Sequence, residues 1–193
     1  MDAPLPPLYL PPAAWWAQAL AQQRQRGAAR LALGGTYSEK CGLAVARILG
    51  AQRAEALALP VAPGSVGQPL AQVALAGVAW PRAHARALET AYRKSAFWDH
   101  YGPPLLAALA AAGPAGLLAV CQAGIRELGA GLGIVFLETD EPAPLPWHPP
   151  PGWAPQPYRQ TFGAAFVPDL SGLDALLCLG PRAAAELAAG LPG

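Results

Sequence analysis

The sequence predicts an α/β or α+β fold, with a β-rich N-terminal half, a helical middle, one late strand rejoining a central sheet, and C-terminal helices. Three observations carry this. Short apolar segments recur at 42–49, 54–61 and 70–76 between turn signals. A helical period runs through about 79–95. After two Ala-rich helical stretches, GIVFLET at 133–139 reads as a buried strand. The 193 residues are expected to form a single domain, 1–193, with a Pro-rich loop at 140–157. A chain of this length buries roughly 70% of its unfolded surface and needs no disulfide or metal to be stable.

Taken in order, residues 1–12 read as an extended lead-in ending in Tyr9-Leu10-Pro11-Pro12, and 13–26 as a helix bearing Trp15 and Trp16. AARLALGG then forms a short strand with Leu31 and Leu33 on one face, and Gly34-Gly35 bends the chain before Tyr37. Leu57, Leu59 and Val61 alternate cleanly, Leu43, Val45 and Ile48 only in part, and Leu70, Val73 and Leu75 with one slip. In the central helix, Trp80, His84, Leu88, Ala91 and Ser95 lie within about 40° of one line. Arg82, Arg86, Glu89 and Arg93 take the opposite side, with Glu89 and Arg93 spaced as an i,i+4 pair, and Tyr92 sits at the edge. From Gly102 to Ile125 no residue is charged, but Gly113-Pro114 divides the run into helices at about 104–112 and 115–129. Gly129, Gly131 and Gly133 open no helix, so they read as a helix stop and not as a dinucleotide fingerprint. Helices at about 172–179 and 182–190 close the chain.

Composition excludes several classes. A formal charge of +1 supplies no basic field for nucleic acid. Cys41, Cys121 and Cys178 show no ligand spacing, so buried reduced thiols are expected and neither metal nor cofactor is. The N-terminus lacks a basic n-region and an apolar h-region, and no integral membrane segment is expected. The reading is of a cytoplasmic protein that takes a small-molecule substrate.

His84 is the leading chemical candidate, since an imidazole on an inward face titrates near neutral pH and suits a general base. A core histidine satisfied by a backbone carbonyl is the alternative, and both stand open. Tyr92 would orient that ring or donate to developing negative charge. His148, flanked by prolines, would line a cleft. Ser171 and Asp174 have capping-box spacing, which explains the carboxylate locally, while Asp174 is also a substrate-binding candidate. Tyr158 and Gln160 alternate, so both would face one side and hydrogen-bond a sugar. Lys40 and Arg47 would meet phosphate, or simply be surface cations.

YLPP at 9–12, WPRAHARALETAYRKSAFWDHY at 80–101, HP at 148–149, PYRQTF at 157–162 and FVPDLSGLDALLCLGP at 166–181 resemble the WbqC-like proteins in order and spacing. The resemblance implies a role in O-antigen or other surface-polysaccharide assembly, with a transferase step on a nucleotide-linked amino sugar. On this reading His84, Tyr92 and His148 are the catalytic candidates, and Tyr9, Tyr37, Lys40, Arg82, Tyr158, Gln160 and Asp174 the substrate-binding ones. Two departures from the family pattern stand out. The segment YSEKCGLAVARI lacks an Asn-Arg pair, and Cys178 falls where an Asn is usual. They leave open a non-catalytic binding or scaffold protein of the same fold.

Overall fold

A computed structural model describes residues 3–51, 53–162 and 165–191. The N-terminal lead-in is not a peripheral strap. Residues 4–11 are all buried, and their backbone is tied on several sides. The Leu5 amide donates to the Arg30 carbonyl, the Ala32 amide to Leu5, and the Tyr9 amide to Leu43. Proline brings no amide hydrogen into such a place, so only its carbonyl needs a partner. The indoles provide it: Trp15 Nε1 donates to the Pro6 carbonyl and Trp16 Nε1 to that of Pro11. A proline-rich stretch thereby runs through the core with the Pro6 and Pro11 carbonyls met by indoles.

Helix α1, Ala13–Arg26, buries both tryptophans and ends on left-handed Gly27. Strand β1, Ala29–Gly34, follows. Strands β2, Val45–Leu49, and β3, Ala54–Ala58, form an antiparallel hairpin. Next come α2, Trp80–Tyr92, α3, Trp98–Ala112, and α4, Leu117–Leu132. Strand β4, Phe136–Pro142, returns to pair in parallel with β1. After the proline-rich segment come α5, Gly172–Leu179, and α6, Ala183–Ala189. This is the expected mixture of strands and helices, with a late strand rejoining the first. However, β4 begins three residues later than expected and runs into the proline-rich stretch. It is mostly exposed where a buried strand was expected, because it pairs along one edge with β1 alone.

The sheet content is smaller than the apolar alternation suggests. Among the described residues the strands form two separate pairs, β1 with β4 and β2 with β3. Residues 70–72 form a 3₁₀ turn, and a single bridge joins Val61 to Leu75. The slip between Leu70 and Val73 was a three-residue period, which puts both on one side of a 3₁₀ turn, and both are buried. Helix α3 starts six residues before its expected beginning. The glycines after Leu128 do not stop α4 until Gly133, whose left-handed φ of 69° closes it. No helix among the described residues is long and apolar enough to cross a membrane.

The core runs from Leu5 to Ala188 as one cluster, with Trp15, Trp16, Tyr9 and Tyr92 its largest sealed side chains. Helix α5 sits close to α1 because its first residue is glycine. A Cβ on Gly172 would lie 2.2 Å from Trp16 Cδ1, and that indole is pinned by its bond to Pro11. Gly172→Ala is therefore expected to lower the unfolding free energy by about 1–3 kcal/mol through overpacking. Chemical denaturation measures it, and an unchanged midpoint would contradict this packing.

Candidate functional site

Helix α2 carries the expected inward face: Trp80, His84, Leu88 and Ala91 are buried, whereas Arg82, Arg86, Glu89 and Arg93 are exposed. Glu89 and Arg93 make no ion pair. Those described are Arg30–Glu141 and Arg126–Glu138. The His84 ring is sealed and has both nitrogens engaged. The Tyr9 hydroxyl lies 2.9 Å from Nδ1, and Nε2 lies 3.1 Å from the Ala58 carbonyl. A carbonyl only accepts, so Nε2 carries the proton and Nδ1 accepts from Tyr9. Trp80 closes the ring edge-on at 5.2 Å between centroids. Burial pushes the imidazole pKa down, against the raising effect of the Ala58 bond, and burial pushes the Tyr9 hydroxyl up.

A second polar centre lies at the other end of α2. Tyr92, expected at the helix edge, is wholly buried, and its hydroxyl accepts from the Leu49 amide at 2.9 Å. Its free proton faces the neighbourhood of Asp174, and the two groups influence each other's ionisation. Asp174 is 0% exposed. Its Oδ2 accepts from the Tyr158 hydroxyl at 2.6 Å and from Gln160 Nε2 at 3.0 Å, while Oδ1 accepts no hydrogen bond from a described group. Gln160 is locked from both sides: its Oε1 accepts from the Val167 amide, and its Nε2 also donates to the Val167 carbonyl. Burial raises the Asp174 pKa, partly offset by the bonds from Tyr158 and Gln160 and by the nearby Tyr92 hydroxyl. Burial and the neighbouring carboxyl both raise Tyr158.

The predicted capping box does not form. Ser171 Oγ accepts from the Leu173 amide, and the Ser171 amide donates to the Arg47 carbonyl, so nothing at the cap is left for Asp174 to accept. With the local role closed, the carboxyl turns inward to Tyr158 and Gln160, which face it from one side as their alternation predicts.

The nominated residues thus fall into groups. Tyr9 meets His84, and Tyr92, Tyr158, Gln160 and Asp174 meet one another. His84 and Tyr92 are eight residues apart, about 12 Å along the helix axis, so they do not share a centre. His148 is exposed in the proline-rich segment, with no hydrogen bond or ring contact to either. Tyr37 is buried in the connection between β1 and β2, its hydroxyl pKa raised by burial and then by Cys41 and Glu39. Lys40, Arg47 and Arg82 are exposed. No three His, Cys, Asp or Glu side chains among the described residues are grouped to hold a metal ion.

One open cleft adjoins the Asp174 centre. About 430 Å³ in volume, it is lined by Lys94, Arg159, Gln160, Thr161, Cys178 and Arg182, with Ser95, Ala96 and Leu179 completing the wall. Cys178 lies one turn beyond Asp174 on α5, with the Thr161 hydroxyl 3.7 Å from its Sγ. Burial, and then the carboxyl, push this thiol up to about 11. Sequence reasoning missed the three cations here, because Lys94, Arg159 and Arg182 come from segments that only the tertiary fold brings together.

A family model for WbqC-like proteins matches residues 36–140. The chain belongs to the WbqC-like protein family. No curated protein and no solved structure matches. The matched span of this WbqC-like protein holds Tyr37, Lys40, Arg82, His84 and Tyr92. It leaves Tyr9, His148, Tyr158, Gln160 and Asp174 outside, so the Asp174 centre joins one residue from within the span to three beyond it.

The depressed His84 pKa sets a direction for stability. The unfolded chain takes up a proton near the ordinary value of about 6.5, before the folded one does, so stability from the neutral ring is complete above that pH and lost as pH falls below it. His84→Gln removes this titration and costs about 1–3 kcal/mol in buried hydrogen bonds. The variant should lose less unfolding free energy than wild type between about pH 7 and about pH 5 in denaturant titrations, and equal losses would contradict a neutral buried ring.

Proposed function

We propose that this WbqC-like protein acts in O-antigen or other surface-polysaccharide assembly, in the cytoplasm, as a transferase on a nucleotide-linked amino sugar. In this reading the whole chain works as one unit, with the 143–162 segment wrapping back to complete the site. The observation that carries it is the buried Asp174 carboxyl, which bonds Tyr158 and also holds Gln160, a residue that lines an open cleft. Asp174 serves as a positioning residue: it meets no solvent, and it holds Gln160, which borders the space where a sugar would sit. His84, with both nitrogens bonded, anchors the Tyr9 segment and β3 to α2 and so supports the site from a distance.

A second reading, a binding protein without catalysis, is favoured by one feature of the same cleft. Its walls hold no carboxylate and no imidazole, and its thiol is held protonated at neutral pH. A general base near neutrality is therefore not among its lining groups.

A panel of nucleotide-linked sugars, assayed by thermal shift and by product formation, separates the two. The transferase reading expects a raised Tm with at least one donor, and turnover that falls roughly 10²-fold or more in Asp174→Asn. Asparagine keeps an oxygen to accept from Tyr158 and Gln160, so the variant should fold. Binding without turnover supports the second reading, and a panel without any shift contradicts both.

A further inference from the structure

We propose that the cleft formed by Lys94, Arg159 and Arg182 is an anion site that takes the diphosphate group of a small ligand. The three cations come from three places: the exit of α2, the segment after the proline-rich stretch, and the turn between α5 and α6. All three are exposed, none forms an ion pair or hydrogen bond among the described residues, and none of the nine lining residues is acidic. In a chain with a formal charge of only +1, three unpaired positive charges around one concavity are a local excess that solvent alone must offset.

The simplest competing explanation is that these cations answer the negative ends of α2 and α5, which both point here. Magnitudes decide against it as the whole account. Each helix end contributes roughly −0.5 of a charge, which leaves about two positive charges uncompensated. The last carbonyls also have other donors. The Ser95 amide and hydroxyl both reach the Tyr92 carbonyl, the Phe97 amide reaches Leu177, and the Gly180 amide reaches Leu176. Part of each helix end is therefore capped without the cations.

Ligand chemistry follows from what the walls offer. Two guanidinium groups present paired N–H donors that match phosphoryl oxygens, and Lys94 adds a point charge. The Thr161 hydroxyl also lines the cleft. Three positive charges suit the two to three negative charges of a diphosphate better than the single charge of a carboxylate. A volume of about 430 Å³ falls within the usual range for small-molecule sites, with room for a group attached to the diphosphate. That group could be a nucleoside or a prenyl chain, and the diphosphate chemistry is common to both.

Calorimetric titration of the full chain with pyrophosphate, uridine diphosphate, geranyl diphosphate and uridine tests this. Pyrophosphate and at least one of the two substituted diphosphates should bind, uridine should not, and affinity should fall with added salt. In the Arg159→Ala, Arg182→Ala double variant, pyrophosphate affinity should drop at least about 10-fold, the loss of two charge-assisted contacts, with the circular dichroism spectrum unchanged. Tighter binding of uridine diphosphate than of geranyl diphosphate would assign a nucleotide ligand, and the reverse order a prenyl one. Asp174→Asn keeps all three cations and should keep pyrophosphate binding even if turnover is lost, so the anion site is tested apart from the transferase reading. No heat with any diphosphate, or equal affinity in the double variant, would overturn the proposal.

Discussion

A carboxyl withdrawn from water is tolerated only where it is neutral or met by donors, and Asp174 is the point at which this chain accepts that constraint. The Tyr158 hydroxyl and the Gln160 amide bond it from the segment at 158–160, and the Tyr92 ring on α2 lies in its neighbourhood. Two of these groups are in turn held elsewhere: Tyr92 by Leu49 at the end of β2, and Gln160 by Val167. The carboxyl therefore ties the last helices to the hairpin and to α2. Gln160, which bonds it, and Cys178, one turn further along α5, both line the cationic cleft.

Helix α2 acts as a two-point fixture. At its start His84 bonds the carbonyl of Ala58, the last residue of β3, and at its end Tyr92 receives the amide of Leu49, the last residue of β2. Since β2 and β3 run antiparallel, those residues lie at opposite ends of the hairpin, which is clamped along its length. Tyr9 extends the first clamp to the buried N-terminal segment, whose prolines are held by Trp15 and Trp16. The two imidazole and carboxyl centres are thus separate, one fastening the front of the molecule and the other bordering its open cleft.

Much of the helical framework was legible because helices declare themselves locally. The span of α1, the polar and apolar faces of α2, and α5 follow from period and caps. The apolar run at 133–137 located the late strand only roughly and wrongly implied that it was buried. The sheet was less legible. Alternation in the 70–76 segment belonged to a 3₁₀ turn, and strand pairing depends on partners far along the chain. The same holds for the site. The alternation of Tyr158 and Gln160 correctly put both on one side, but nothing near Asp174 in sequence distinguishes a helix cap from a core carboxyl. That distinction depends on the Ser171 amide being taken by Arg47, a contact across more than a hundred residues. The cleft cations carry no motif at all, and only packing brings Lys94 beside Arg159 and Arg182.

The central claim is that Asp174 is a buried carboxyl organising the tyrosine and glutamine around it. The direct measurement is its own titration, followed by the side-chain carboxyl ¹³C shift in labelled protein, with Asp174→Asn used for assignment. A midpoint displaced above the ordinary aspartate value of about 3.9 is the result this structure predicts. A midpoint at or below that value would show a solvated or ion-paired carboxylate and would contradict it.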